Sequence, residues 1–311
     1  MSNIFLALGP VPEPPEPDPW AGVSMSWTGT DGSSWSLECS KGVYLLAGVE
    51  GLTREEAPTL YTSQSANVHG ETFRGLNFGP RPVFWPVKVY APENSQAWLE
   101  LDKKFAASLN PRGTGVWRVT QPDGTWRELT CRPLRDGAGG WRDMPGARSW
   151  KHYAIEMVAE DPFWYGPPIE SPLWKQADPI DYIPEEGAPP LHPGSIQTFG
   201  SAVMSNPGDE PASPLWTVQA LPGGSGVSSV SLSVGGVSTG FGAIPAGQTL
   251  TIDTDPRVQQ AMLNGVDVTG SLTSWDFPQI LPGADVPIGI TMTGEGTVQA
   301  SIRGPRFDRA W

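Results

Sequence analysis

Residues 151–166, KHYAIEMVAEDPFWYG, join an alternating strand pattern to a run of aromatic residues. Apolar side chains alternate with polar ones through Tyr153, Ile155 and Met157, and a period of two indicates a β-strand with one buried face. The strand runs into Asp-Pro and the three aromatic residues 163–165. Because consecutive aromatic side chains carry a large apolar surface, we expect them to plug the end of a first β domain that closes here.

Toward the N-terminus, short apolar runs predict further strands. Residues 34–37 and 43–46 are bounded by Gly or Ser and have the length of strands, and we expect the two to pair. Residues 83–90, VFWPVKVY, place alternate apolar side chains on one face. Pro86 lacks the N–H group that a central strand needs, so this strand is predicted to lie at an edge or to be bulged.

One helix and one hairpin are also predicted in this part of the chain. Apolar residues recur at helical spacing over residues 98–109, after Asn94 and Ser95 as candidate caps, and Pro111 prevents the helix from continuing. Residues 121–124, QPDG, stand between two apolar runs. Pro sets the first turn angle and Gly accepts a positive φ, so this segment predicts a β-hairpin.

The length of the chain favours two domains, since 311 residues exceed the ~150 residues of a usual single domain. Gly and Pro are abundant, at 37 and 34 residues, and charged residues make up only 17%. This composition suits short strands joined by turns. We predict a Pro-rich N-terminal arm at 1–20, a β domain at 21–166, a linker with eight prolines at 167–195, and a second domain at 196–311.

The second domain is predicted to be a β-sandwich of jelly-roll type. Apolar residues alternate at period two in several segments, which are separated by turns such as Asn264-Gly265 and Pro282-Gly283. The alternating positions are Val230/Leu232/Val234, Leu250/Ile252, Val266/Val268, Ile288/Ile290/Met292 and Val298/Ala300/Ile302.

The charge of the chain argues against nucleic-acid binding. The formal net charge is −13. Residues 176–311 carry four arginines against 13 acidic residues, a net charge of −9. Because phosphate recognition needs clustered Lys and Arg, we expect no specific binding of DNA or RNA.

Membrane and cysteine features are few. No apolar stretch approaches the ~20 residues that a bilayer requires and no basic segment precedes the apolar run at residues 4–8, so we expect an unprocessed cytoplasmic protein without membrane insertion.

Cys39 and Cys131 lie far apart and in no CxxC or Cys/His cluster. Both are interpreted as small buried apolar residues.

No residue pattern predicts catalysis, a metal or a cofactor. The three histidines, His69, His152 and His192, are too widely spaced for a zinc helix, and no GxSxG motif supports a serine triad. The carboxylate pairs Asp253/Asp255 and Asp209/Glu210 could serve as glycosidase acids or Ca²⁺ ligands. Solvated surface is the favoured interpretation of both pairs. We therefore predict that the chain is not an enzyme.

Aromatic residues of the second domain offer a binding alternative. Trp216, Trp275 and Phe277 could stack on sugar rings if they are exposed, although such residues are usually part of the core.

The order of these landmarks resembles the distal tail protein (Dit) family of siphophages, over nearly the whole chain. The resemblance is strongest at Asp161-Pro162-Phe163-Trp164-Tyr165-Gly166, which is similar to the segment that closes the family's first domain. It also includes the predicted helix and hairpin, together with Gly70, Gly79-Pro80-Arg81-Pro82-Val83, Asn206-Pro207-Gly208-Asp209-Glu210-Pro211, Ile252-Asp253-Thr254-Asp255 and Pro305-Arg306-Phe307.

This resemblance implies a mostly β protein with a sandwich-like ring domain and an outer galectin-like sandwich. It implies a structural subunit of the virion tail tip, made in the host cytoplasm, that forms a hexameric hub. The implied partners are the tail tube protein, the tape-measure protein and the tail-associated baseplate or tip proteins. Two alternatives remain open: a receptor- or carbohydrate-binding module of the tail tip, and a wall-degrading hydrolase that only the spare carboxylates support.

Overall fold

Alternation of apolar and polar side chains builds the strands of both halves of the chain. The computed structural model describes residues 20, 22–38, 42–137, 149–176 and 196–311. The chain divides into two compact units, of which unit 1 runs to Thr125 and includes Thr130–Asp161, and unit 2 contains Trp126–Leu129 and Pro162–Trp311.

Unit 1 contains nine strands and one α-helix among its described residues. They are β1 (Ser24–Thr28), β2 (Ser34–Ser36), β3 (Gly42–Leu45), β4 (Thr59–Ser65), β5 (Val68–Asn77), β6 (Arg81–Tyr90), α1 (Ser95–Ala107), β7 (Gly115–Thr120), β8 (Trp126–Arg135), whose first four residues belong to unit 2, and β9 (Trp150–Ala159).

The main sheet of unit 1 follows the order β2-β1-β7-β8-β9-β6-β3. β2 and β3 are the two end strands of this order. Leu45 N of β3 donates a hydrogen bond to Leu37 O, just after β2, at 3.2 Å, so the two ends meet and the sheet is nearly closed and barrel-like. Trp27, Trp85 and Trp117 fill the interior. Trp85 meets the other two rings edge to face, with ring centroids 5.3 and 5.1 Å apart, a favourable aromatic geometry.

The predicted pairing of residues 34–37 with 43–46 is wrong, although both segments form strands. β2 pairs with β1, and β3 pairs with β6. The reason is the curvature of the sheet, which brings β2 and β3 together only at its closing seam, where the single Leu45–Leu37 bond forms.

The prediction that Pro86 places its strand at an edge is also wrong. β6 is central, because it pairs with β9 along its whole length and with β3 on the other side. The β3 ladder ends at the Leu45–Val87 pair, one residue from Pro86. Pro86 accepts there a bond from Leu46 N at 2.8 Å, so its missing N–H faces the place where the ladder stops.

The predicted helix and hairpin are confirmed. Asn94 caps α1 by accepting a hydrogen bond from Ala97 N at 2.9 Å. In the turn between β7 and β8, Gln121 N donates to Thr125 O at 2.8 Å, and Gly124 has a φ of +84°. Only a residue without a Cβ adopts this backbone conformation without strain.

Unit 2 contributes the remaining strands. They are β10 (Trp164–Tyr165), β11 (Ile169–Glu170), β12 (Trp174–Gln176), β13 (Ile196–Ser205), β14 (Leu215–Ala220), β15 (Val227–Val234), β16 (Val237–Phe241), β17 (Thr249–Asp253), β18 (Gln260–Leu263), β19 (Val266–Asp267), β20 (Leu272–Trp275), β21 (Asp285–Gly294), β22 (Gly296–Ile302) and β23 (Arg306–Phe307).

All of these strands except β10 and β23, which pair with each other, form the predicted sandwich. One sheet has the order β11-β22-β14-β17-β18-β19, with β12 also on β22, and the other has the order β13-β21-β15-β16-β20. The alternating residues of β14, β15, β17, β21 and β22 meet in one apolar core. At the tip of the β18–β19 hairpin, Asn264 and Gly265 both have positive φ, 45° and 83°, as the Asn-Gly turn predicts. The mostly β fold class is therefore confirmed.

The predicted linker contains ordered strands in its described part. β11 and β12 fall within residues 167–176 and pair with β22 of the sandwich. The predicted N-terminal arm, apart from Trp20, and the rest of the linker lie outside the described residues. The domain boundaries at 20, 166 and 195 stay predictions.

No helix in the described ranges is long and apolar enough to cross a membrane.

Candidate functional site

The aromatic segment Asp161–Gly166 is built mostly into unit 2. Asp161 ends unit 1, whereas Trp164 is fully buried and pairs with Phe307 across β10 and β23. Gly166 N donates to Pro305 O at 3.0 Å. The segment is thus joined by backbone pairing to the C-terminal Pro-Arg-Phe segment, and its role in closing the first domain stays a prediction.

The Asn206–Pro211 turn reaches the same C-terminal segment. Asn206 Nδ2 donates to Glu210 O at 2.8 Å and to Ile280 O at 2.9 Å, which holds the turn closed. Asp209 N donates to Arg306 O at 2.7 Å, and Asp209 Oδ2 accepts from Asp308 N at 2.9 Å. Asp209, a candidate acid from the sequence, therefore fixes backbone around β23.

Trp216 does not form a sugar-stacking site, because it is only 1% exposed and lies in the sandwich core. Its position on β14 gives the reason, since alternate residues of this strand face the opposite sheet. Trp275 is 55% exposed, and Phe277 packs partly buried against the core. An exposed aromatic surface shared by Trp216 and Trp275 is absent, and sugar stacking on Trp275 alone stays a prediction.

His69 and His152, the two histidines that the structure describes, belong to no metal-binding cluster. His69 is exposed next to the β4–β5 turn, and His152 on β9 stacks on Trp150 with ring centroids 4.8 Å apart. His192 lies outside the described residues. Within the described ranges, no three His, Cys, Asp or Glu side chains are grouped so that they could hold a metal ion.

Cys131 is fully buried and free of any disulfide, and burial raises the pKa of its thiol far above the ordinary value. A thiol that stays protonated is a poor nucleophile, so this residue behaves as the small apolar residue that the sequence predicts. Cys39 lies outside the described residues.

Asp253 and Asp255, the second carboxylate pair, are not simply solvated. Asp253 is only 8% exposed, and its Oδ2 lies 2.8 Å from Arg303 Nη2 in an ion pair. Asp255 accepts from Arg257 N, Nε and Nη2 at 3.0, 3.1 and 2.9 Å. Those hydrogen bonds hold the pKa of Asp255 below its usual value. Arg303 lies 50 residues from Asp253 in sequence, so no local motif predicts that ion pair, whereas Arg257 lies only two residues from Asp255.

An isolated hairpin in unit 1 exposes an apolar face. β4 and β5 pair only with each other. Leu60 lies opposite Leu76, and Phe73 lies opposite Thr62, on the same face of the ribbon. Leu60 and Phe73 are each 59% exposed and Leu76 is 46% exposed. Among the described elements, none packs on this hairpin with more than weak contacts.

The nearly closed β sheet of unit 1 and the two-sheet sandwich of unit 2 give the chain a fold similar to that of a phage hub protein of known structure. The chain is similar over 90% of its length to the crystal structure of the Dit protein of phage SPP1, described as a paradigm of the hub adsorption apparatus in phages that infect Gram-positive bacteria. That likeness has a TM-score of 0.56 at 13% identity and covers 98% of the SPP1 chain.

Two structures of the phage p2 baseplate in its activated conformation are more distantly similar. The strontium-bound one is 10% identical and covers 89% of this chain and 97% of its own, and the calcium-bound one is 11% identical and covers 91% and 99%. Both have a TM-score of 0.48. No family model matches the chain, and no curated protein matches it by sequence.

Proposed function

We propose that the chain is a structural subunit of a bacteriophage tail tip, in which copies of unit 1 assemble into a hub. The observation that carries the proposal is the likeness of fold to the SPP1 Dit protein, which extends through both units and over nearly all of that chain. A shared fold alone does not define a function, so the surfaces of this chain must supply the remaining support.

The β4–β5 hairpin supplies a surface that suits self-association. A two-stranded hairpin is at most marginally stable in water unless a further element covers it. Leu60, Phe73 and Leu76 expose about half of their surface each, on one face. Contiguous exposed apolar side chains of this kind mark protein interfaces. A second copy of the chain is the proposed partner.

The proposed assembly is a closed ring of six copies. A contact between two different surfaces of identical subunits generates a ring when the rotation closes. The hairpin would be one of those surfaces. The proposed neighbours of this ring are the tail tube protein on one side, the tail-associated baseplate or tip proteins on the other, and the tape-measure protein in the bore. The chain would be made in the host cytoplasm and would act in the virion tail tip.

The charge and the buried polar groups fit a non-enzymatic role. A net charge of −13 would not retain DNA that passes through a hub. The spare carboxylates are used inside the fold, since Asp209 fixes backbone around β23 and Asp255 is held by Arg257.

Sedimentation of the full chain over a range of concentrations tests this proposal. The wild-type chain is expected to form a discrete oligomer, and the double variant Leu60→Ser/Phe73→Ser to remain monomeric at the same concentrations. Val266→Ser is the matched control, because Val266 is 65% exposed but lies in unit 2. If the double variant associates as strongly as the wild type, the hairpin is not part of the interface between copies.

A second candidate function rests on Trp275. A side chain that is 55% exposed on β20 presents an aromatic face to solvent, as stacking on a sugar ring requires. A glycan array probed with the full chain tests this role, with Trp275→Ala as the variant. Binding that the variant loses would support a receptor-binding module, and no binding by the wild type would refute it.

A further inference from the structure

Three of the six basic residues of unit 2 are gathered at one place. Between residues 196 and 311 the chain has four arginines and no lysine, against nine acidic residues. Three of the four, Arg257, Arg303 and Arg306, line a single cavity in unit 2. The fourth, Arg309, does not line it. In an acidic unit, this distribution creates one local site of positive charge.

The cavity lies at the rim of the sandwich, where β14 begins and where β17 and β22 end. Its volume is about 250 Å³. That is smaller than the ~300–1,000 Å³ of sites for drug-sized ligands. Ser213 and Tyr165 add hydroxyl groups to the lining, and Leu215 and Ile302 add apolar surface. The space suits a single small polar group.

The arginines are held in different ways. Arg257 is fixed by Asp255 and also donates from Nη2 to Tyr165 Oη at 3.2 Å. Arg303 reaches Asp253 with one terminal nitrogen, and its side chain is 63% exposed. Arg306 donates from Nη2 to Pro211 O. A guanidinium has five N–H donors, so Arg303 and Arg306 can each offer further donors to a ligand.

The charges at the cavity do not cancel. Asp253 and Asp255 are the acidic side chains of the lining, against three arginines, which leaves one positive charge. Arg306 donates to a carbonyl oxygen and lies 5.4 Å from the centre of the Phe163 ring, and the carboxylate that attracts it is Asp255, which Arg257 already holds. Guanidinium groups bind carboxylate and phosphate oxygens in preference to other acceptors.

We propose that this cavity is a binding site for a small oxyanion, namely one phosphate or carboxylate group. Arg303 and Arg306 donate to the bound oxygens, Arg257 adds positive charge from its fixed position, and Asp253 limits the affinity because its carboxylate competes for Arg303. This function is additional to assembly of a hub and does not depend on it.

Isothermal titration of the full chain, at constant ionic strength, with inorganic phosphate and separately with acetate tests the proposal. We expect saturable binding of at least one probe. Phosphate alone, acetate alone or both would define the kind of oxyanion. Absence of saturable binding of either probe would overturn the proposal.

Three variants make the test specific. Arg303→Gln is expected to weaken binding about tenfold, the effect of losing one charge-assisted hydrogen bond. Asp253→Asn should strengthen it several-fold, because the amide oxygen still accepts the bond from Asp255 N while the competing charge is gone. Arg309→Gln is the control and should bind like the wild type.

Folding is checked by circular dichroism, because replacing Arg303 removes the ion-pair partner of the largely buried Asp253. If Arg303→Gln and Arg309→Gln weaken binding equally, the anion is attracted by overall charge and no site exists. If Asp253→Asn weakens binding, the assignment of Asp253 as a competitor is wrong and the proposal fails.

Discussion

Two buried tryptophans of unit 1 provide a matched test of how hydrogen bonding contributes to its core. Trp85 and Trp98 are 0% and 1% exposed. Trp98 Nε1 donates to Val89 O at 3.2 Å, whereas the indole N–H of Trp85 has no hydrogen-bond partner in the described structure. Replacing each by Phe removes the same atoms, so the costs of lost apolar contact are similar in kind.

The difference between the two variants follows from the N–H group. Trp98→Phe loses a hydrogen bond whose net contribution is about 0.5–1.5 kcal/mol. Trp85→Phe removes a buried unpaired donor, whose desolvation costs the native state about 1–3 kcal/mol. We therefore expect Trp98→Phe to be more destabilising than Trp85→Phe by about 2 kcal/mol. This value lies toward the low end of the sum of the two contributions, because neighbouring groups relax around each substitution.

Urea unfolding of the full chain, followed by far-ultraviolet circular dichroism, measures this difference. Because both substitutions lie in unit 1, any separate transition of unit 2 serves as an internal reference. The slope of unfolding free energy against urea should be unchanged, so that a shift in midpoint reports stability. Equal destabilisation, or a larger effect of Trp85→Phe, would show that the hydrogen bond of Trp98 does not add to the stability of unit 1.

Three further predictions concern a contact, a carboxyl and a thiol. Gly115→Ala should lower the melting temperature, because a Cβ there would lie 2.3 Å from the Trp27 ring. The expected loss of folding stability is about 1–3 kcal/mol. In the control variant Gly79→Ala the added Cβ contacts no other atom, so its stability should be unchanged. Hydrogen bonds from Thr269 lower the pKa of Asp267 to about 2 from 3.8. The stability that these bonds contribute is present above pH ~4 and is lost as the pH falls through the pKa of the folded state. Nuclear magnetic resonance titration should find the low pKa, and an unshifted pKa would contradict the prediction. Cys131 should resist thiol reagents until the chain unfolds, in a background without the other cysteine, and rapid labelling of the native protein would show that its burial is misassigned.

Much of the fold could be predicted because its signals are local. Period-two alternation in β6, β9 and the sandwich strands specifies which side chains face a core. Asn94 specifies the start of the helix, and the turns at Gly124 and Gly265 require positive φ. Each of these features depends on residues within a few positions of one another.

The errors concern relations between distant segments. The pairing of β2 with β1 rather than β3 depends on how the sheet curls, which short runs do not encode. Pro86 is tolerated in a central strand only because the β3 ladder stops beside it. The convergence of Arg257, Arg303 and Arg306 joins loops about fifty residues apart in sequence, and no motif spacing predicts it.

We propose that copies of this chain associate through unit 1 into a ring. Electron-microscope class averages of the concentrated full chain test it most directly. Closed rings of about six copies with an open bore are expected, and Leu60→Ser/Phe73→Ser should abolish them. A monodisperse single-copy particle for the wild type at every concentration, with no ring at the distal end of assembled tails, would contradict the account.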